Sequence, residues 1–85
     1  MKVTLRFFAS VREELGTAQE TLNVPEGVGS VGALRELLQQ RGGVWASALA
    51  TERPLRMAFN HSMCPADTAL ADGAEVAFFP PVTGG

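Results

Sequence analysis

The sequence predicts an α+β fold in which one sheet is covered on one face by one main helix. Two short segments of alternating polar and apolar residues near the N-terminus are typical of half-buried strands, and one longer segment after them has helical spacing. The predicted order is strand, strand, helix, strand, strand. With 85 residues, 46% of them hydrophobic, the chain has room for one core, so we expect one domain.

The first strand is predicted to begin at residue 2 and to end near Ala9, and the second is predicted at residues 21–24. Polar and apolar side chains alternate in both segments. A Pro-Glu-Gly segment ends the second strand because proline removes a ladder donor. Between the strands, Ser10 stands three residues before Glu13, the spacing of a capping box. This spacing predicts a short helical turn over residues 11–15.

The main helix is predicted over residues 31–38, with Ser30 as its N-cap. Its apolar residues recur at helical spacing and require a sheet face to cover them. The opposite, polar face is predicted to hold Arg35, Glu36, Gln39 and Gln40. Residues 45–49 are predicted to form an irregular or 3₁₀ segment packed beneath the helix.

Two more strands are predicted in the C-terminal half. Residues 57–59 form the first, and Asn60-His61 is a tight turn that returns the chain through Met63. After a turn at residues 70–73, residues 75–79 form the last strand.

Two phenylalanines are predicted to lie outside the core. Adjacent strand residues point to opposite faces, so only one ring of each pair, Phe7-Phe8 and Phe78-Phe79, can be buried in the core. If Phe7 and Phe78 face the helix, then Phe8 and Phe79 face away from it. Loops that cover these two rings are one interpretation, and an apolar surface that docks a protein partner is the other.

The chain ends in a tail, residues 80–85, which follows a predicted domain at residues 1–79. Its two prolines impose an extended path that cannot join a sheet, and Gly84 and Gly85 carry no side chain. A partner can therefore approach the Gly85 carboxylate closely, because no Cβ obstructs it. Terminal glycines alone are most often frayed ends, so the surrounding sequence decides their meaning.

Composition argues against several classes of function. A single cysteine cannot form an internal disulfide, and a single histidine cannot complete a zinc site. The net charge of −2 disfavours binding to nucleic acid. No stretch is long enough to span a bilayer, and the N-terminus lacks the apolar run of a signal peptide. We expect a cytoplasmic chain whose partners are proteins or small molecules.

Some side chains invite a catalytic interpretation, but the sequence favours simpler ones. Cys64 is predicted to be a small buried hydrophobe, Trp45 a core residue, and His61 a surface turn residue without an acidic neighbour. The acidic residues Glu13, Glu14 and Glu75 are predicted to cap helices or face solvent. The sequence contains no nucleophile-base pair, phosphate-cradling glycine loop or metal-ligand cluster.

The C-terminal segment has the pattern Leu70-x-Asp72-Gly73-x-Glu75-Val76-x-Phe78-Phe79-Pro80-Pro81-Val82-Thr83-Gly84-Gly85. This pattern resembles the C-terminus of molybdopterin synthase small subunits, and weaker similarity covers essentially the whole chain. Sulfur carriers of the thiamine pathway also end in a diglycine after an Asp-Gly turn, but the segment Phe78-Phe79-Pro80-Pro81-Val82-Thr83 separates the two families. The resemblance implies the β-grasp fold of ubiquitin, with a mixed sheet of four to five strands and one main helix packed on one face.

The resemblance also implies a sulfur carrier without a permanently bound cofactor. A ubiquitin-activating-like enzyme would use ATP to adenylate Gly85, which would carry AMP transiently. A persulfide protein would then supply the sulfur that displaces AMP and leaves a thiocarboxylate. Gly84, which has no side chain, would let the terminus enter a narrow channel. The extended segment Pro80, Pro81, Val82 and Thr83 would carry the terminus away from the domain.

The same resemblance implies a large subunit as the main partner. Two carriers and two large subunits would form a heterotetramer whose catalytic side chains belong to the large subunits. That complex would sulfurate cyclic pyranopterin monophosphate to the dithiolene of molybdopterin. Phe8, Met63 and Phe79 occupy positions where the family has apolar docking residues, and nearby acidic residues could pair with a basic activating enzyme.

Two other interpretations stay open. The same adenylated Gly85 would be passed to a lysine if the chain were a protein modifier, although conjugating relatives tend to have a basic or leucine-arginine tail. Alternatively, the chain is a β-grasp binding module whose diglycine has no function.

Overall fold

The computed structural model describes residues 1–81 and contains five strands and three helices. The end of the predicted tail lies outside the described residues. It comprises Val82 and Thr83, predicted to extend the chain, and Gly84 and Gly85, predicted to enter the partner and to carry the sulfur. No helix within residues 1–81 has the length and apolarity needed to cross a membrane. In chain order the elements are β1 Lys2–Phe7, α1 Ala9–Leu15, β2 Gln19–Asn23, α2 Val31–Gln39, α3 Gly43–Ala48, β3 Arg56–Phe59, β4 Ser62–Met63 and β5 Glu75–Phe79.

The five strands form one mixed sheet in the order β2-β1-β5-β3-β4. The first and last strands, β1 and β5, are parallel neighbours, with Leu5 opposite Val76 and Phe7 opposite Phe78. The other pairs are antiparallel. The predicted α+β class and the mixed sheet of the β-grasp fold are therefore confirmed.

The core lies between one face of this sheet and α2. Ser30 caps the helix as predicted, because its Oγ accepts a hydrogen bond from the Ala33 N–H at 3.1 Å. Each large side chain buried here stabilises the fold by about 1.5–3 kcal/mol. The helix contributes Val31, Leu34 and Leu38, and the sheet contributes Val3, Leu5, Phe7, Val76 and Phe78.

The first helix differs from the prediction at its start. It begins at Ala9 with Phe8 as its N-cap, no side chain caps it, and Ser10 lies inside the helix. The capping-box prediction was therefore wrong. The first strand also ends at Phe7 and not near Ala9 as predicted. Phe8 makes the last ladder contact by donating its N–H to the Phe78 carbonyl at 3.3 Å, and the helix begins at the next residue. Its predicted end is confirmed, since Gly16 has φ of 73°.

The polar face predicted for α2 and the irregular segment after it both need correction. Residues 43–48 form an α-helix, α3. Arg35 is buried, and its Nε donates to the Leu49 carbonyl at 2.8 Å while Nη2 donates to the Arg53 carbonyl at 3.0 Å. This arginine satisfies carbonyl groups at and beyond the end of α3, and burial lowers its pKa.

Candidate docking surface at the root of the tail

The face of the sheet opposite α2, here called the outer face, carries the candidate site. Strand register places four side chains in one row across it. Arg6 is opposite Ala77, Ala77 is opposite Ala58, and Ala58 is opposite Met63. Met63 is 60% exposed, so the fold leaves this row without a covering layer at its β4 end.

Phe8 and Phe79 lie beside this row and face away from the core, as predicted. Their ring centroids are 6.4 Å apart with an interplanar angle of 81°, an edge-to-face contact. Phe7 and Phe78, by contrast, are almost completely buried on the opposite face. Phe8 is 40% exposed and Phe79 half-buried, so loops do not cover the Phe8 ring. The pair is an exposed aromatic edge at the end of β1 and β5.

A groove of about 390 Å³ runs along the outer face. Ala58 and Ala77 are two of its lining residues and lie opposite each other on neighbouring strands, which leaves a hollow between bulkier side chains. A hollow of this shape can accept an apolar side chain of a partner. The other residues that line it are Phe8, Ala9, His61, Glu75, Phe79 and Pro80.

Three charged or titratable side chains stand beside the groove. Arg6 lies over the Phe8 ring at 5.3 Å, and its Nη1 is 3.7 Å from Oε1 of Glu75. The other carboxylate oxygen of Glu75 is 3.4 Å from Nδ1 of His61. The prediction that His61 has no acidic neighbour was therefore wrong.

Long-range pairing explains this contact. Asn60 and His61 form the predicted tight turn, and both have positive φ, 47° and 71°. The Asn60 side chain accepts a hydrogen bond from the Glu75 N–H at 2.9 Å, which fixes the turn against the start of β5. Glu75 thus lies beside His61 although 14 positions separate them in sequence.

Arg6 has one unusual feature, because its Nε is buried and has no hydrogen-bond partner among residues 1–81. A buried donor without an acceptor costs about 1–3 kcal/mol. Arg6, Ala58 and Ala77 were not predicted as site residues from the sequence. A signal for Arg6 was present, since it is two residues from Phe8 and must share its face.

The root of the tail lies at the same edge of the sheet. Because β1 and β5 are parallel neighbours, their carboxyl ends lie side by side. Phe8, directly after β1, and Phe79, the last residue of β5, are therefore in contact there. Pro80 and Pro81 are half-buried, and Pro80 lines the groove. The chain therefore leaves β5 from the end of an apolar groove.

The remaining candidates lie elsewhere. Cys64 is half-buried and packs against the core, and Trp45 packs its ring edge-on to Phe7 at 5.6 Å. Glu14 does not simply face solvent, since Arg53 Nη1 is 3.0 Å from its carboxylate. In the described part of the chain, no three His, Cys, Asp or Glu side chains are grouped to hold a metal ion.

The mixed five-stranded sheet with α2 packed on one face is the fold of ubiquitin-like β-grasp proteins. The profile of the ThiS family matches residues 5–85, and the chain belongs to that family. The molybdopterin synthase sulfur carrier subunit of Escherichia coli is 42% identical to it over 83 residues, which cover 98% of this chain and 99% of the relative.

Solved structures have the same fold. Small archaeal modifier protein 1 of Haloferax volcanii superposes with a TM-score of 0.74 at 23% identity, covering 95% of this chain and 98% of that one. Subunits 1 and 2 of the Helicobacter pylori molybdopterin-converting factor were solved as a complex. A chain of this complex matches with a TM-score of 0.68 at 23% identity and full coverage of both chains. At these identities the likeness concerns the fold alone.

Proposed function

We propose that the chain is the sulfur carrier subunit of a molybdopterin synthase and works through the carboxylate of Gly85. The structural observation that carries this proposal is the exit of the tail from an exposed apolar groove, since a carrier must dock its body and extend its terminus at the same place. The full-length similarity to the Escherichia coli carrier subunit supports the choice of pathway.

The proposed chemistry starts with activation of the carboxylate. A carboxylate is a poor electrophile, so an activating enzyme uses ATP to form an acyl-adenylate at Gly85 and releases pyrophosphate. A persulfide sulfur from a second protein then attacks the carbonyl carbon, and AMP leaves. Cleavage of the S–S bond by a thiol frees the thiocarboxylate. ATP and AMP belong to the activating enzyme's reaction, and the carrier needs no resident cofactor.

The proposed partner for delivery is the large subunit of the synthase. The complex solved for the Helicobacter pylori factor is of subunits 1 and 2, and we infer the same kind of pairing here, in a heterotetramer with two copies of each subunit. Phe8, Met63 and Phe79 supply apolar contact area on the outer face. Pro80, Pro81, Val82 and Thr83 supply reach, and Gly84 lets the terminus pass a narrow channel.

The acceptor in this proposal is cyclic pyranopterin monophosphate, and two loaded carriers in turn give the dithiolene of molybdopterin. A thiocarboxylate sulfur is softer and more nucleophilic than a carboxylate oxygen, so it can attack a carbon of the acceptor and displace an oxygen substituent there. Hydrolysis of the resulting thioester by water then leaves the sulfur on the acceptor and restores the Gly85 carboxylate. The groups that orient the acceptor and move protons are assigned to the large subunit. The carrier contributes the sulfur and a docking surface that directs its tail toward the acceptor in the large subunit.

The test is an intact-mass spectrum of the purified chain after incubation with cell extract, ATP and a sulfur source. We expect one oxygen to be exchanged for sulfur, and fragmentation to place the change at Gly85. A variant with one alanine added after Gly85 is the control and should stay unchanged, because its carboxylate no longer follows the diglycine.

Two other outcomes would contradict the proposal. A branched adduct on lysines of other proteins would identify a protein modifier, the function named for the Haloferax volcanii structure. An unchanged chain in an extract that loads the Escherichia coli carrier would identify a binding module.

A further inference from the structure

Arg6 lies beside the groove with incomplete hydrogen bonding. Its Nε is buried without an acceptor in residues 1–81, and the distance of 3.7 Å from Nη1 to Glu75 exceeds that of a good hydrogen bond. The same carboxylate is also 3.4 Å from His61. Glu75 therefore compensates the charge of Arg6 only in part.

The outer face carries more positive than negative charge near the tail. Arg56 is opposite Phe79 in the β3–β5 register, so it lies on the outer face, and it is exposed. None of the ion pairs formed within residues 1–81 involves Arg56. Two guanidinium groups, from Arg6 and Arg56, thus face one carboxylate, from Glu75, around the aromatic edge.

We propose that Arg6 is a specificity-determining residue of the docking surface, and that the partner places a carboxylate against it, next to an apolar side chain that enters the groove. This inference rests on the proposed function and names the chemistry of the matching surface on the large subunit. A guanidinium pairs with a carboxylate through two parallel hydrogen bonds, which are strong when docking excludes water.

The same arrangement discriminates against wrong partners. When the apolar contact forms, a partner without an acceptor leaves the Arg6 guanidinium desolvated and still unpaired. This penalty falls on incorrect complexes and not on the correct one. Phe8 holds the guanidinium in position, because the charge lies over its ring.

The test measures binding of the purified large subunit by isothermal titration calorimetry at low and high salt. We expect Arg6→Gln to weaken binding about tenfold or more at low salt and to reduce the salt dependence, since it removes an ion pair across the interface. Arg6→Lys should recover part of the loss, because lysine keeps the charge without the planar fork. Lys2→Gln is the matched control, on the same face of β1 but outside the groove, and should bind like the original chain.

Thermal unfolding separates this role from a structural one. We expect Arg6→Gln to unfold at about the same temperature, because the Arg6–Glu75 pair that it removes is long and partly exposed and contributes little to stability. Unchanged binding at both salt concentrations, or a loss of stability parallel to the loss of affinity, would overturn the inference. The proposed function fails separately, if the original chain neither gains sulfur at Gly85 nor binds the large subunit.

Discussion

Arg41 joins strand β2 to the helical layer through two contacts. Its Nη1 donates a hydrogen bond to Oε1 of Glu20 at 2.9 Å, and its guanidinium lies over the Trp45 ring at 4.3 Å. The hydrogen bond from Arg41 lowers the pKa of Glu20 below its ordinary value, against a smaller opposing effect of burial. Ionised Glu20 is therefore part of the folded state.

Replacing Glu20 by glutamine tests this pair. A carboxylate with a lowered folded-state pKa stabilises the fold above its unfolded pKa, near 4.5, and the contribution is lost as pH falls through the folded value. Both side chains are about one-third exposed, so we expect a loss below about 1 kcal/mol at pH 7. Urea unfolding at pH 7 and pH 3 should show the difference shrinking in acid, and an equal loss at both values would contradict this account.

Gly32 is a second position where one residue controls packing. A Cβ there would be 3.0 Å from both the Cβ and the carbonyl oxygen of Ala66, and that oxygen already accepts the Gly32 N–H at 2.7 Å. We expect Gly32→Ala to destabilise the fold by about 1 kcal/mol in denaturant unfolding, because overpacking outweighs the gain in helix propensity. Gly29→Ala is the control, with nothing within 4 Å, and should be neutral or stabilising.

At the scale of elements, β5 combines a core face with the proposed docking face. We expect Phe79→Asp to leave the fold intact and to weaken binding of the large subunit by more than about 30-fold, as for a residue central to an interface. Phe78→Asp differs by one position but buries a charge, so it should unfold the domain. Circular dichroism and calorimetry on both variants check this, and unfolding by Phe79→Asp would mean that the ring supports the core.

Local sequence patterns predicted the elements well where one face alone is buried. The period-2 pattern placed β1, the Asp-Gly turn before β5 placed that strand, and helical spacing with a serine cap placed α2. The same rule failed for Arg35, because a charged residue was assigned to solvent although carbonyl groups beyond α3 bind it. The short helix α3 was not predicted, because a helix of this length is stabilised by packing more than by its own propensity.

At the scale of the molecule, the sequence predicted the outward phenylalanines but not the groove between them and Glu75. Adjacency within one strand decides which face a ring takes. The groove depends on which strands are neighbours and in what register, and β1 and β5 are separated by most of the chain. No local pattern contains that pairing, so the Ala58 and Ala77 lining and the contacts of Glu75 appeared only in the fold.

The whole chain, by the proposed mechanism, delivers sulfur from its terminus and not from a side chain. Cys64 is half-buried and packed on the core, far in sequence from the tail. We expect Cys64→Ser to acquire a thiocarboxylate as fully as the original chain in the mass-spectrometric assay. Loss of sulfur loading in a folded Cys64→Ser variant, with Gly85 unchanged, would assign the sulfur to the thiol.

The parallel pairing of β1 with β5 has a mechanical consequence. A partner that pulls on Pro80 and Pro81 applies force along β5, which is hydrogen-bonded on both sides, to β1 and to β3. Such a load acts along the strands, so the bonds of both ladders must shear together and cannot open one after another. We therefore expect tension on the terminus of the docked chain to be transmitted to the domain without separating β5 from the sheet.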